Sequence, residues 1–225
     1  MTSCPVCGAR GRPLLADWFC GAGGAGLGYL LAGWHIVGWD IEPQPRYPGC
    51  FVLGDALEAS LDGFEACHAS PPCQAYSLNM RGLVKGDHPM LIDAVRERLT
   101  TSGLDLWVIE NVIGAPLPHQ SDLWGAHGIE LCGTMFDLPL WRHRLFETSI
   151  PIPLPPRGCD HTAQPMNPFR DKRPGGHTLE RRFRAAMGVG WMQKMEGRQA
   201  VPPIYTCHIG RALLDHRAEL LEAAS

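Results

Sequence analysis

The strongest constraint on the fold lies near the N-terminus. Residues 13–19, "PLLADWF", form an apolar run, and the Gly-rich stretch "CGAGGAGLG" follows at 20–28. A helical pattern continues to about Gly33, and "HIVGWD" at 35–40 is a second buried-strand candidate that ends in an acid. A glycine turn after the first strand with an acid closing the second is the nucleotide-binding layout of α/β folds. Glycines allow a tight turn and close backbone approach, and the acid can accept ribose hydroxyls. Asp40 falls 17 residues after Gly23. This arrangement admits NAD, FAD or S-adenosylmethionine, and a purely structural turn is the bland alternative.

The rest of the chain extends the same pattern. "CFVLGDALE" at 50–58 reads as a third strand and turn, and "FEACHAS" at 64–70 leads to a double proline. "DHPMLIDAVRERLTTSG" at 87–103 has Pro near its start and Gly at its end, which suits a helix. "LDLWVIENV" at 104–112 is the next strand, and "IELCGTMFDL" and "RHRLFETS" add two short ones. Alternating strands and helices predict an α/β fold with a mostly parallel sheet. Residues 149–178 break the pattern, being rich in Pro and Gly, and a helical pattern returns from Leu179. The expected organisation is a Cys-x-x-Cys segment (1–12), a core (13–148), a short irregular excursion (149–178) and a return to the core (179–225).

Composition limits the function classes. The 225 residues are 45% hydrophobic and 19% charged, enough for one sizeable domain. No run approaches the roughly 20 apolar residues of a membrane span, and the N-terminus lacks a signal-peptide core. A cytoplasmic protein with no membrane partner is expected. The net charge of −3 does not announce a nucleic-acid binder. Yet residues 157–184 hold seven Arg or Lys against three acids. That patch is either a solvated loop or a local phosphate-contacting surface.

The nine cysteines are an odd number, and most lie far apart in apolar stretches, which argues against a disulfide framework. "CPVCG" at 4–8 has the spacing of a zinc knuckle, and "CDH" offers Cys159 and His161. A four-ligand zinc site made by Cys4, Cys7, Cys159 and His161 would staple the excursion to the core. Free thiols are the other reading. "ASPPCQAYS" at 69–77 poses a separate question, because two prolines stiffen the chain just before Cys73. An isolated cysteine is more often a buried, inert thiol.

The ordered set "DWFCGAGGAGLGYLLAGWHIVGWDIEP", "SPPCQAYS", "VIENV", "WRHRLFET" and "QAVPPIYTCHIG" resembles the cytosine-specific carbon-5 DNA methyltransferases, in the compact form of bacteriophage members. The resemblance covers roughly residues 13–150 and 179–215. It implies a Rossmann-like S-adenosylmethionine-dependent fold with a very short target-recognition segment. It implies S-adenosylmethionine bound by Phe19, Gly21, Gly23, Gly24, Asp40, Ile41, Asp55, Ala56, Pro72, Gln199 and Val201. Cys73 would be the nucleophile, Glu110 would contact the target base, and Arg142 and Arg144 would complete the catalytic set. Leu140 stands where the family's Gln-x-Arg-x-Arg motif begins with glutamine. Gln74, Ser77, Arg81, Lys85 and Asn111 would face the substrate, double-stranded DNA bound by a monomer. Residues 75–88 would form a loop closing over a flipped cytosine. An RNA cytosine methyltransferase and a non-catalytic DNA-binding relative are the rival readings, and restriction-modification is one role the family serves.

The implied chemistry suits these residue types. Carbon 5 of cytosine is a poor nucleophile until a thiolate adds to carbon 6, so the step is covalent catalysis. Cysteine serves best where its pKa is lowered. Glu110 can hydrogen-bond the base and supply a proton.

Overall fold

The computed structural model describes residues 3–76, 89–121, 127–162, 165–166 and 177–223. Seven strands form one sheet: β1 (Leu14–Trp18), β2 (His35–Asp40), β3 (Cys50–Leu53), β4 (Ala66–Ala69), β5 (Trp107–Asn111), β6 (His127–Leu131) and β7 (Arg144–Thr148). Their order is β3-β2-β1-β4-β5-β7-β6. The first five are mutually parallel, and β7 runs antiparallel to both β5 and β6. The expected α/β fold with a mostly parallel sheet is present.

A parallel strand is covered on both faces and therefore reads as a continuous apolar run. All five residues of β1 are buried. Leu14, Ala16 and Trp18 join one core cluster with Val37, Trp39 and Ile109, whereas Leu15 joins another with Ile36, Phe146 and Tyr205. Alternate side chains thus serve opposite faces.

Helix α1 (Gly24–Ala32) follows the glycine turn, and α2 (Ile92–Thr100) precedes β5. The α2 region is shorter than the 87–103 pattern suggested, and β3 ends at Leu53, before a 3-10 turn at Ala56–Glu58. The chain closes with α3 (His177–Ala186), α4 (Lys194–Gln199) and α5 (Pro203–Ala223). Among the described residues of the excursion, 149–162 and 165–166 form neither helix nor strand, as expected. Of its basic residues, Arg157 pairs with Asp137, and Arg170, Lys172 and Arg173 lie outside the described residues. No helix among the described residues is long and apolar enough to cross a membrane.

Helix α5 lies directly against α1, and small residues make this possible. A Cβ on Gly28 would stand 2.0 Å from Thr206 Oγ1 and 2.1 Å from the Pro203 carbonyl. Thr206 Oγ1 donates to the Ala25 carbonyl at 2.7 Å, and Trp34 Nε1 donates to the Gly210 carbonyl at 2.9 Å. Part of the glycine-rich stretch therefore serves helix packing.

Candidate active site

Because β1 to β5 are parallel, their carboxyl ends share one edge, where α/β sheets bind ligands. Each strand delivers a candidate residue there. Phe19 follows β1 in the left-handed region at φ 56°, a conformation that costs energy for any residue but glycine. Asp40 ends β2, Asp55 follows β3, the "SPPC" turn follows β4, and Glu110 with Asn111 lies on β5. A cavity of about 660 Å³ lies along this edge.

One half of the cavity gathers residues that follow β1, β2 and β3. Phe19, Gly21, Gly24, Asp40, Ile41, Asp55 and Ala56 line it, and Gln199 and Val201 form the far wall. Asp40 is held by two backbone donors, Gly21 N–H at 2.9 Å and Glu42 N–H at 3.0 Å. Asp55 Oδ1 accepts from Leu57 N–H at 2.9 Å. Ile41 is 73% exposed, a large apolar side chain at the cavity rim. A fixed carboxylate beside an exposed apolar side chain fits the ribose and adenine of S-adenosylmethionine.

Gly23 does not line the cavity. Its φ is 82°, and a Cβ there would stand 2.2 Å from Pro48 Cδ. Its absence of a side chain is required by the turn and by the 47–48 segment, which gives Gly23 a structural role.

The other half gathers Pro72, Cys73, Gln74, Glu110 and Arg144. Glu110 is 6% exposed, and Arg144 Nε lies 2.8 Å from its Oε1. Burial raises the Glu110 pKa, and the charges of Arg144 and Arg142 with a Ser70 hydrogen bond only partly offset this. Cys73 is half-buried, and its thiol is raised by burial and by Glu110, against the pull of Arg144 and Arg142. The free protein therefore favours the thiol, the reverse of the lowered pKa that the sequence reading preferred. Gln74 Oε1 is buried with no hydrogen-bond partner among the described residues.

Two further residues take positions other than those expected. Asn111 is 1% exposed; its Nδ2 donates to the Pro71 carbonyl at 2.9 Å and its Oδ1 accepts from Val112 N–H. It holds the cysteine turn and does not face a substrate. Arg142 is outside the cavity lining, with Nε donating to the Ala200 carbonyl at 3.0 Å and its terminal nitrogen donating to Arg198 and Ala200. It secures the wall that carries Gln199 and Val201, and its charge also acts on Glu110 and Cys73. Leu140 is buried against Phe183 and Met187, an apolar environment where a glutamine would need partners. Ser77, Arg81, Lys85 and most of the 75–88 loop lie outside the described residues.

The sequence did not single out two supporting features. Arg46 clamps Glu196 across the mouth, with Nε at 3.0 Å from Oε2. These residues lie 150 positions apart, and no local pattern links them. Behind Glu110 runs a buried polar chain. The Tyr29 hydroxyl and His68 Nδ1 are 3.0 Å apart, His68 Nε2 and Ser70 Oγ are 2.8 Å apart, and Ser70 bonds Glu110. Burial lowers the His68 pKa to about 3, so its ring is neutral. A histidine inside the apolar "EACHAS" strand was the available signal.

The predicted metal ligands separate. Cys4 and Cys7 meet His35 and Cys50, whereas Cys159 and His161 meet Cys132 and His143. The single site joining Cys4, Cys7, Cys159 and His161 is therefore corrected. The first pair reaches the amino-terminal ends of β2 and β3, and the second reaches the β6–β7 connection.

No protein-family model matches the chain, and no curated protein does. Solved structures are similar to it. Entamoeba histolytica methyltransferase EhMeth aligns with a TM-score of 0.58 and 13% identity, over 92% of this chain and 99% of that one. A protein described as a DNA modification methyltransferase, encoded within an E. coli prophage, gives 0.44 and 18% over 60% of this chain and 46% of its own. Spodoptera frugiperda DNMT2 gives 0.43 and 17% over 60% and 49%. The chain spans about half the length of the last two. The fold of this chain is the Rossmann-like fold of S-adenosylmethionine-dependent methyltransferases.

Proposed function

We propose that the chain is a DNA cytosine-5 methyltransferase that uses S-adenosylmethionine and attacks its base through Cys73. The observation that carries this reading is the meeting of Cys73 with the Glu110–Arg144 pair in one cavity whose other half is shaped for a nucleoside. S-adenosylmethionine, when bound, supplies the methyl group on a positively charged sulfur. Phe19, Asp40, Ile41 and Asp55 would hold its nucleoside end.

The protein's residues then act on the base. A cytosine must leave the duplex stack to enter, at a cost of a few kcal/mol. Glu110, whose pKa burial raises, hydrogen-bonds the base and passes a proton to the ring nitrogen as Cys73 Sγ bonds to carbon 6. Because the Cys73 pKa is raised, the thiol gives up its proton to water in the open cavity as the sulfur–carbon bond forms. Carbon 5 gains electron density and accepts the methyl group. Loss of the carbon-5 proton to a base then expels the Cys73 thiolate, and the ring nitrogen returns its proton to Glu110, which restores the ring. Arg144 holds Glu110 in place and opposes charge building beside it.

The test uses duplex DNA containing 5-fluorocytosine, with S-adenosylmethionine present. Fluorine cannot leave as a proton does, so elimination stalls and the sulfur–carbon bond persists. The expected result is a denaturation-resistant adduct mapped to Cys73, absent in Cys73→Ala. An adduct at another cysteine, or normal methylation by Cys73→Ala, would overturn the mechanism. Methyl transfer to RNA with none to duplex DNA would retain the chemistry and replace the substrate.

A further inference from the structure

We propose that the chain binds two structural zinc ions, one through Cys4, Cys7, His35 and Cys50 and the other through Cys132, His143, Cys159 and His161. In each group the four ligand atoms lie within 4.8 Å of one another. The argument is geometric. Zinc with sulfur at ~2.3 Å and nitrogen at ~2.0–2.1 Å in a tetrahedron requires sulfurs ~3.8 Å apart and sulfur to nitrogen ~3.6 Å apart. Cys4 and Cys50 sulfurs are 3.8 Å apart, and His35 Nε2 lies 3.6 Å from Cys7 and 3.5 Å from Cys50. In the second group His161 Nε2 lies 3.5 Å from Cys132, and His143 Nε2 lies 3.4 Å from Cys159. Cys159 and His161 approach to 3.0 Å, below the tetrahedral value. A disulfide needs sulfurs at ~2.05 Å, so Cys4 and Cys50 are spaced for a shared ion and not for a bond.

The surroundings are those of metal sites. Residues 4–8 turn back on themselves, with Gly8 N–H donating to the Cys4 carbonyl at 2.9 Å and Gly8 at φ 72°. This turn presents Cys4 and Cys7 to one point. In the second group Thr134 Oγ1 lies 3.3 Å from Cys132 Sγ and 3.8 Å from Cys159 Sγ, and Trp141 stacks on the His161 ring at 4.4 Å. Such outer partners fix ligand orientation. Glu130 lies 3.8 Å from His143 Nε2, outside hydrogen-bond reach.

The two ions would do different work. The first staples the segment before β1 to the start of β2 and β3, at the sheet end away from the cavity. The second ties the excursion to the β6–β7 connection through His143, which lies between Arg142 and Arg144. It would hold the proposed recognition segment beside the residue that pairs with Glu110.

The test is elemental analysis of the full chain, purified without chelator after expression with zinc. The expected content is two zinc per chain, with Cys7→Ser and Cys159→Ser each retaining one. X-ray absorption of the wild type should show five sulfurs and three nitrogens over the two ions, which stands even if a variant fails to fold. One equivalent or less in the wild type, a different ligand set, or a Cys4–Cys50 disulfide in a peptide map would overturn the proposal. None of these readouts depends on methyl transfer, so they fail or succeed independently of the proposed activity.

Discussion

Asn111 donates from Nδ2 to the Pro71 carbonyl at 2.9 Å, and so ties the strand bearing Glu110 to the turn bearing Cys73. The two prospective reacting groups are held together by a side chain that reaches neither the cavity nor solvent. Asn111→Ala leaves a buried carbonyl without its donor, at a cost of about 1–3 kcal/mol. Methyl transfer should fall about 10- to 100-fold through misplacement of Cys73. Cofactor affinity, measured by calorimetry, should stay within about twofold, because the side-chain hydrogen bonds of Asn111 go to Pro71 and Val112 and not to the residues around Asp40 and Asp55. Equal losses of turnover and cofactor affinity would show that the residue supports the whole site.

Glu110→Gln should have two opposite effects. Removing the carboxylate charge relieves one cause of the raised Cys73 pKa, so iodoacetamide should alkylate Cys73 of the free protein faster than in wild type. Methyl transfer should nevertheless slow by about two to four orders of magnitude, because the proton donor is lost. Peptide mapping after timed alkylation separates Cys73 from the other thiols, and methyl transfer is followed on the same preparation.

Gly28→Ala tests the helix packing. Its Cβ would meet the Pro203 backbone at 2.1 Å, an atom that cannot rotate aside. Overpacking of this kind costs about 1–3 kcal/mol or more. Gly54→Ala, whose Cβ meets nothing within 4 Å, is the control. Urea midpoints should fall clearly for the first and little for the second.

Two buried groups give stability opposite pH dependences, which overlap between about pH 4 and pH 6.5. Asp17 is fully buried and its pKa is raised to about 8, chiefly by burial. The folded state therefore holds a proton that the unfolded state has released, and stability is lost as pH rises from about 4 to about 8. His68 has the opposite sign. Its folded pKa of about 3 lies below the ordinary 6.5, so stability is lost as pH falls from 6.5 towards 3. In denaturant titrations at several pH values, Asp17→Asn should remove the loss of stability with rising pH up to about 8, and His68→Gln the loss with falling pH from 6.5 towards 3. A variant whose slope matches the wild type would remove its residue from the account.

The local pattern was enough for the strand and helix order, because backbone periodicity and turn residues act over a few positions. It was also enough to bring Cys73, Glu110, Asp40 and Asp55 to one sheet edge, since parallel strands deliver their carboxyl ends there whatever the side-chain details. What Gly23, Gly28, Asn111 and Arg142 do was decided by the tertiary structure. Each has a partner brought near by folding: Pro48, Thr206, Pro71 and Ala200. The direction of the Cys73 pKa also depends on burial and on Glu110, neither of which is local in sequence. The metal ligands show the difference most plainly. Cys-x-x-Cys spacing marked Cys4 and Cys7 as a pair, but ligand sets close in space and not along the chain. Sheet topology put His35 and Cys50 beside that pair, and the β6–β7 connection put Cys132 and His143 beside Cys159 and His161.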